Sequence, residues 1–150
     1  MRTLVPFTNI NLVALCVGYA LGTHSHTWAV ASAQMIGSTL AFMTLPILDT
    51  TAYARQRSRH GYTIRVFYTG HLVLHILPCL TILANLPTQI SLMHAIIANC
   101  TQMLWAIAST GTLYVDSVYI PLAKGVWQCL WVVTLFGHYS LLVYCMSMGA

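Results

Sequence analysis

Between Arg2 and Asp49 the chain carries no Asp, Glu, Lys or Arg, and the same holds between Arg65 and Asp116 and after Lys124. Runs of that length without a charge constrain the fold more than any other feature. A soluble domain devotes about 25% of its residues to charged side chains. Here 5% of 150 residues are charged and 58% are hydrophobic, so a water-facing surface could not be covered. A bilayer is the natural solvent for such a chain, and the expected class is an all-α integral membrane protein, a single polytopic domain over residues 1–150.

A spanning helix needs about 20 mostly apolar residues. Five runs meet that length, at about 4–22, 27–48, 64–85, 90–114 and 125–146. The first contains Pro6, Asn9 and Asn11, and a four-span arrangement with this run at the interface is the alternative. It also has the look of a signal peptide, with Arg2 ahead of an apolar stretch; the expectation adopted is a membrane helix. Five spans place Arg2, Arg55, Arg57, Arg59, Arg65 and Lys124 on one side together with both aspartates. The opposite side, with the 23–26 and 86–89 loops and the C-terminus, has no charged side chain. Basic residues collect on the side that is not translocated, which predicts the N-terminus inside and the C-terminus outside. Trp28, Tyr62, Tyr114, Tyr119 and Trp127 fall near span ends, where interfacial aromatics belong.

Small residues recur at every fourth position: Ala14, Gly18 and Gly22 in the first span, and Ala29, Ala33, Gly37 and Ala41 in the second. That spacing lets helix backbones approach closely, so the two spans are expected to form a tight antiparallel hairpin along these stripes. Pro46 and Pro78 lie near span ends, where a kink is expected. Residues 49–63 read as a loop whose Arg55, Arg57 and Arg59, with Arg65, set topology and meet anionic headgroups. No nucleic-acid partner is expected. The five cysteines stand in apolar runs without C-x-x-C spacing, and the expected state is buried free thiols.

Histidine is the one ionisable residue type inside the spans, at His71, His75, His94 and His138. Intramembrane ionisable groups are functional candidates by default. At 1.5 Å per residue, His75 and His138 lie at similar depths, roughly 15 Å and roughly 12 Å from the uncharged side. Two facing imidazoles at one depth would suit a haem b, with Gly70 and Gly137 beside them and His71 or His94 as substitute ligands. His71 and His75, four apart, share one helix face and cannot both be axial to one haem. The bland reading has each imidazole neutral and hydrogen-bonded to a neighbouring helix, through Tyr68, Asn99, Thr101, Gln102 or Tyr139. No catalytic set and no metal-binding cluster emerges.

Three functions follow. The leading expectation is a non-catalytic accessory subunit of a larger membrane complex of the energy-converting, respiratory-chain type, partnered by other membrane subunits. Its location would be the mitochondrial inner membrane, with the basic loops facing the matrix, or facing the cytoplasm in another membrane. The second is a haem b anchor in electron transfer to or from quinone. The third is a small carrier or channel with a polar cavity lined by Asn99, Gln102 and the histidines.

Overall fold

The computed structural model describes residues 7–48 and 50–109, together with positions 137, 138, 140, 141 and 144. Among these the chain is helical and has no strand: α1 (Phe7–Leu21), α2 (His26–Leu48), α3 (Ala52–His60), α4 (Ile64–His71), α5 (Leu77–Ala84) and α6 (Leu92–Ser109). A π-helical turn, Leu72–Ile76, joins α4 to α5, so 64–84 is one continuous rod. Among the described residues this rod, Ile64–Ala84, is the one helix long and apolar enough to cross a membrane, and Asn9–Leu21 is apolar but shorter. Helices therefore occupy the first four apolar runs. A count of five spans does not follow from them, and most of the fifth run lies outside the described residues.

The π turn has a cause in the sequence. Pro78 has no N–H, and its ring would collide with the carbonyl four residues back in a regular helix. The wide turn relieves this: the Leu77 N–H reaches back five residues to the Leu72 carbonyl, the spacing that defines a π turn.

The helices run up and down around α2. The side-chain pairs 42 with 71 and 39 with 75, and the bond from the Trp28 side chain to the Asn85 carbonyl, set the Ile64–Ala84 rod antiparallel to α2. His26 meets His94 where both helices begin, so α2 and α6 run parallel. The 23–26 and 86–89 loops accordingly share one end of the bundle, where the Thr88 N–H donates to the Thr23 carbonyl at 3.1 Å.

The α1–α2 hairpin forms, with Ala14 and Gly18 of the first stripe turned to α2, but Ala33 and Gly37 of the second stripe do not face α1. Gly18 lies directly on the start of α2, where a Cβ would stand 2.8 Å from Trp28 Cα. Leu15, Trp28, Ala31, Met35 and Ile82 then form a core with Ala14 at its edge. Gly22 is not a packing residue: it takes φ +96° in the turn, where the Ser25 hydroxyl accepts from the Trp28 N–H and caps α2. Ala33 and Gly37 look the other way. Ala33 packs with Ala98 of α6 and Leu141, and a Cβ on Gly137 would stand 3.4 Å from Gly37 Cα. Ala29 is fully buried, and the Ala41 side chain lies outside the described residues. At about 100° per residue, Ala33 and Gly37 fall on the face opposite Met35, Thr39 and Phe42, so α2 is covered from both sides.

Three further expectations change. Residues 49–63 are not simply a loop, because α3 fills 52–60. Gly61, at φ +64°, closes it: the Tyr62 N–H donates to the Arg57 carbonyl and the Gly61 N–H to the Ser58 carbonyl, the Schellman pattern that glycine permits. Arg57 is partly exposed and Arg65 exposed, while the Arg55 and Arg59 side chains lie outside the described residues. Trp28 is not interfacial: it is fully buried, and its indole N–H donates to the Asn85 carbonyl at 2.8 Å. Cys16 and Cys100 are exposed on apolar outer faces rather than buried, and Cys79 is half-buried.

Glycine contacts generate a paired prediction. Gly18→Ala forces a methyl into the α2 backbone and should destabilise by about 1–3 kcal/mol. Gly70→Ala meets nothing within 4 Å and should stabilise its helix by up to about 1 kcal/mol. Thermal unfolding followed by circular dichroism in detergent checks both.

Candidate functional site: the buried histidines

The π turn carries His75 inward, and His71 one turn earlier lies on the same face, with ring centroids 5.6 Å apart. Phe42 of α2 packs against both, 4.3 Å from His71 and 4.9 Å from His75. Tyr53 of α3 stacks on Phe42 at 4.9 Å, and Phe67 meets the His71 ring edge-on at 4.2 Å. His71 thus sits in an aromatic box, with both ring nitrogens buried and unbonded. His75 is bonded: Thr39 Oγ1 lies 3.4 Å from His75 Nδ1 and also accepts from the Cys79 thiol at 3.5 Å. The partner is Thr39, which sequence reasoning did not select. Thr39 and Phe42 are three apart on α2 and so share a face; that spacing, set against the His71–His75 spacing, was the available signal.

Tyr53 closes the box from the basic end. Its hydroxyl donates to the Phe42 carbonyl at 3.1 Å. Burial, helped by the nearby Tyr68 phenol, pushes its pKa up to about 12.

His138 is completely buried but belongs to the other side of the bundle. Its ring faces the Ala33 backbone without a hydrogen bond of good geometry, and its neighbours Gly137 and Leu141 pack on Gly37 and Ala33. Thr39 and Phe42, which hold His75, are on the opposite face of α2. Axial imidazoles must meet across one iron, whereas here a helix about 10 Å across stands between them. The structure does not bring His75 and His138 together, and Gly70, proposed as a place for a flat ring to approach, is open to its surroundings.

His94 makes a different unit. It is the third residue of α6, and its Nδ1 accepts from the N–H of Ser91, the residue that caps the helix, at 3.0 Å. This is the reach-back half of a capping box with histidine in the place of glutamate. A neutral imidazole has one N–H, so the proton must be on Nε2, which lies 2.7 Å from Nδ1 of His26. His94 therefore donates, His26 accepts, and the two rings stack at 5.0 Å. Among the described residues no three His, Cys, Asp or Glu side chains form a metal cluster. His26 was placed in a loop by the sequence, and the S-L-M-H spacing was the clue to its partner.

The carrier expectation asked for a cavity lined by Asn99, Gln102 and histidines. Both amides are inside, each with its side-chain oxygen unbonded. Among the described residues a cavity of about 370 Å³ lies elsewhere: an open groove between α1 and the 64–84 rod, lined by Leu12, Leu15, Val73, Leu77 and Pro78 among others, with no histidine.

Two predictions follow from this geometry. Thr39→Val removes the oxygen shared by His75 and Cys79 and should cost about 1–3 kcal/mol, read by chemical or thermal unfolding. Tyr53 holds its proton more tightly folded than unfolded, so its contribution is complete below about pH 10 and is lost as the pH rises towards 12. Alkaline titration of the phenol absorbance against a Tyr53→Phe variant should show this group ionising last. No family model, no curated protein and no solved structure matches this chain.

Proposed function

We propose that this chain is a five-span membrane protein serving as a non-catalytic subunit of a larger membrane assembly, of the energy-converting, respiratory-chain type. Its partners would be other membrane subunits and lipid, with the basic end on the matrix or cytoplasmic side.

The observation that carries this reading is the outer surface. Only 22% of the most apolar stretch of Ile64–Ala84 is buried within the chain. Leu72, Val73, Leu77, Leu80 and Leu83 are exposed along it, as are Val13 and Val17 on α1 and Met93, Ile96, Ile97 and Leu104 on α6. Apolar faces of this extent mark contact with a membrane or with partner proteins, and three different helices of one bundle present them. The polar groups, by contrast, are turned inward: Asn11, Ser32, Gln34, Thr39, His75, Gln102 and His138 are buried. Asn11 of α1 donates to Ser38 of α2 at 3.3 Å, the kind of polar contact that ties helices together where water is absent. The charge pattern adds direction: Arg57 and Arg65 stand at one end of the bundle, and the 23–26 and 86–89 loops meet at the other.

Neither the haem nor the carrier reading gains an observation of its own from the site. Tagged chain extracted from its native membrane in mild detergent and run on native gels, with co-isolated proteins identified by mass spectrometry, tests the proposal. Migration with a defined set of membrane subunits is the expected result. Recovery as a folded, monodisperse chain with no consistent partner would overturn it.

A further inference from the structure

We propose that Met35, His75 and Cys79 form a binding site for copper(I) where α2 meets the Ile64–Ala84 rod. The proposal goes beyond the subunit reading and does not depend on it.

The site follows from register. α2 and the rod are antiparallel, and Thr39 faces His75. Met35 lies one turn back on α2 and Cys79 one turn on along the rod, so these two come level. Residues four apart share a helix face, which puts Met35 on the side of Thr39 and Cys79 on the side of His75. The packing agrees. Met35 is completely buried, and Cys79 packs against the cluster that Met35 forms with Leu15, Trp28, Ala31 and Ile82. The two rod donors also converge: His75 Nδ1 lies 3.4 Å and Cys79 Sγ 3.5 Å from one atom, Thr39 Oγ1. The nitrogen contact is long for a hydrogen bond, so the hydroxyl holds His75 loosely and can yield its place. It can then donate to the Met35 carbonyl four residues back, as threonines inside helices do. That carbonyl has two lone pairs, and Ser38 Oγ, at 3.0 Å, uses one of them.

The donor set selects the metal. Thiolate and thioether sulfur favour copper(I), and imidazole suits copper as well, whereas magnesium, calcium and manganese need oxygen. Charge separates copper(I) from the divalent ions. On binding, the Cys79 S–H bond gives way to a sulfur–copper bond and the proton is released; copper stays monovalent and no electron moves. One thiolate and one copper(I) sum to zero charge, which a dry interior accepts. A divalent ion on the same ligands would leave a buried positive charge without a partner, at high cost. The only acids of the chain, Asp49 and Asp116, flank the apolar runs rather than stand in them. Among the described residues no three His, Cys, Asp or Glu side chains group for a metal; methionine is the donor that completes this set. His71, one turn nearer the basic end, stays outside it.

The test titrates the full chain in mild detergent with copper(I), without oxygen, against the chelator bicinchoninate. Wild type should retain a single copper(I) per chain, with sulfur from two residues and nitrogen from one in X-ray absorption. Met35→Leu conserves core volume; it should lose one of the two sulfur neighbours and hold copper(I) more weakly. Removing a group that only supports a ligand already costs about 10–100-fold in metal affinity, and Cys79→Ser should cost no less. His71→Gln should bind as the wild type does. Failure of the wild type to retain copper(I), equal retention by Cys79→Ser, or an unchanged sulfur count in Met35→Leu overturns the site. Met35→Leu decides alone if Cys79→Ser does not fold. Zinc(II) held as tightly as copper(I) also overturns the proposal, because the charge argument excludes it.

Discussion

The structure depends on the enclosure of one helix. Helix α2 carries Ser32, Gln34, Ser38 and Thr39 among alanines and a glycine, which suits it neither to lipid nor to water. Its small side chains have little to gain from an apolar solvent, and its polar ones need partners inside the protein. Both demands are met by surrounding it. α1 and the Ile64–Ala84 rod cover the face of Trp28, Met35, Thr39 and Phe42, while α6, Gly137 and Leu141 cover the face of Ala33 and Gly37. The neighbours then turn their larger apolar side chains outward. The greasy outer surface and the polar interior are two consequences of one packing solution.

That solution also decides what the histidines can be. Because α2 lies between them, His75 and His138 belong to separate compartments of the bundle. His75 is integrated into α2 through Thr39, and His71 is walled by aromatic rings. The π turn is part of the same arrangement. It accommodates Pro78 while keeping His71 and His75 on the face that meets Phe42.

The positions of the apolar helices were legible in the sequence, because the uncharged runs are long and their breaks carry the charges and turn residues. Helix pairing at Gly18 was legible too, since a residue without a side chain marks a close approach. What each face of α2 touches was not. Ala29, Ala33, Gly37 and Ala41 make a convincing stripe, but a stripe states how near a neighbour can come and leaves its identity open. Trp28 misled for a related reason: an indole near a helix end suits an interface, and the Asn85 carbonyl that draws it inward is 57 positions away in the chain. Helix α3 was missed because its arginines drew notice as charges, although Gly61 stood ready as a cap. For the histidines, depth along the bundle could be estimated from residue counts, whereas rotation about α2 could not. Rotation is what separates His75 from His138 and joins His26 to His94.

The enclosure of α2 is tested most directly at Trp28, the largest side chain in its core. In a chain whose Trp105, Trp127 and Trp131 are replaced by Phe, the fluorescence of Trp28 can be challenged with acrylamide from water and with brominated lipid from the bilayer. Enclosure predicts that neither quencher reaches it. Strong quenching from either side would contradict the account, by lipid if α2 faces the bilayer or by acrylamide if the helix ends at an open interface.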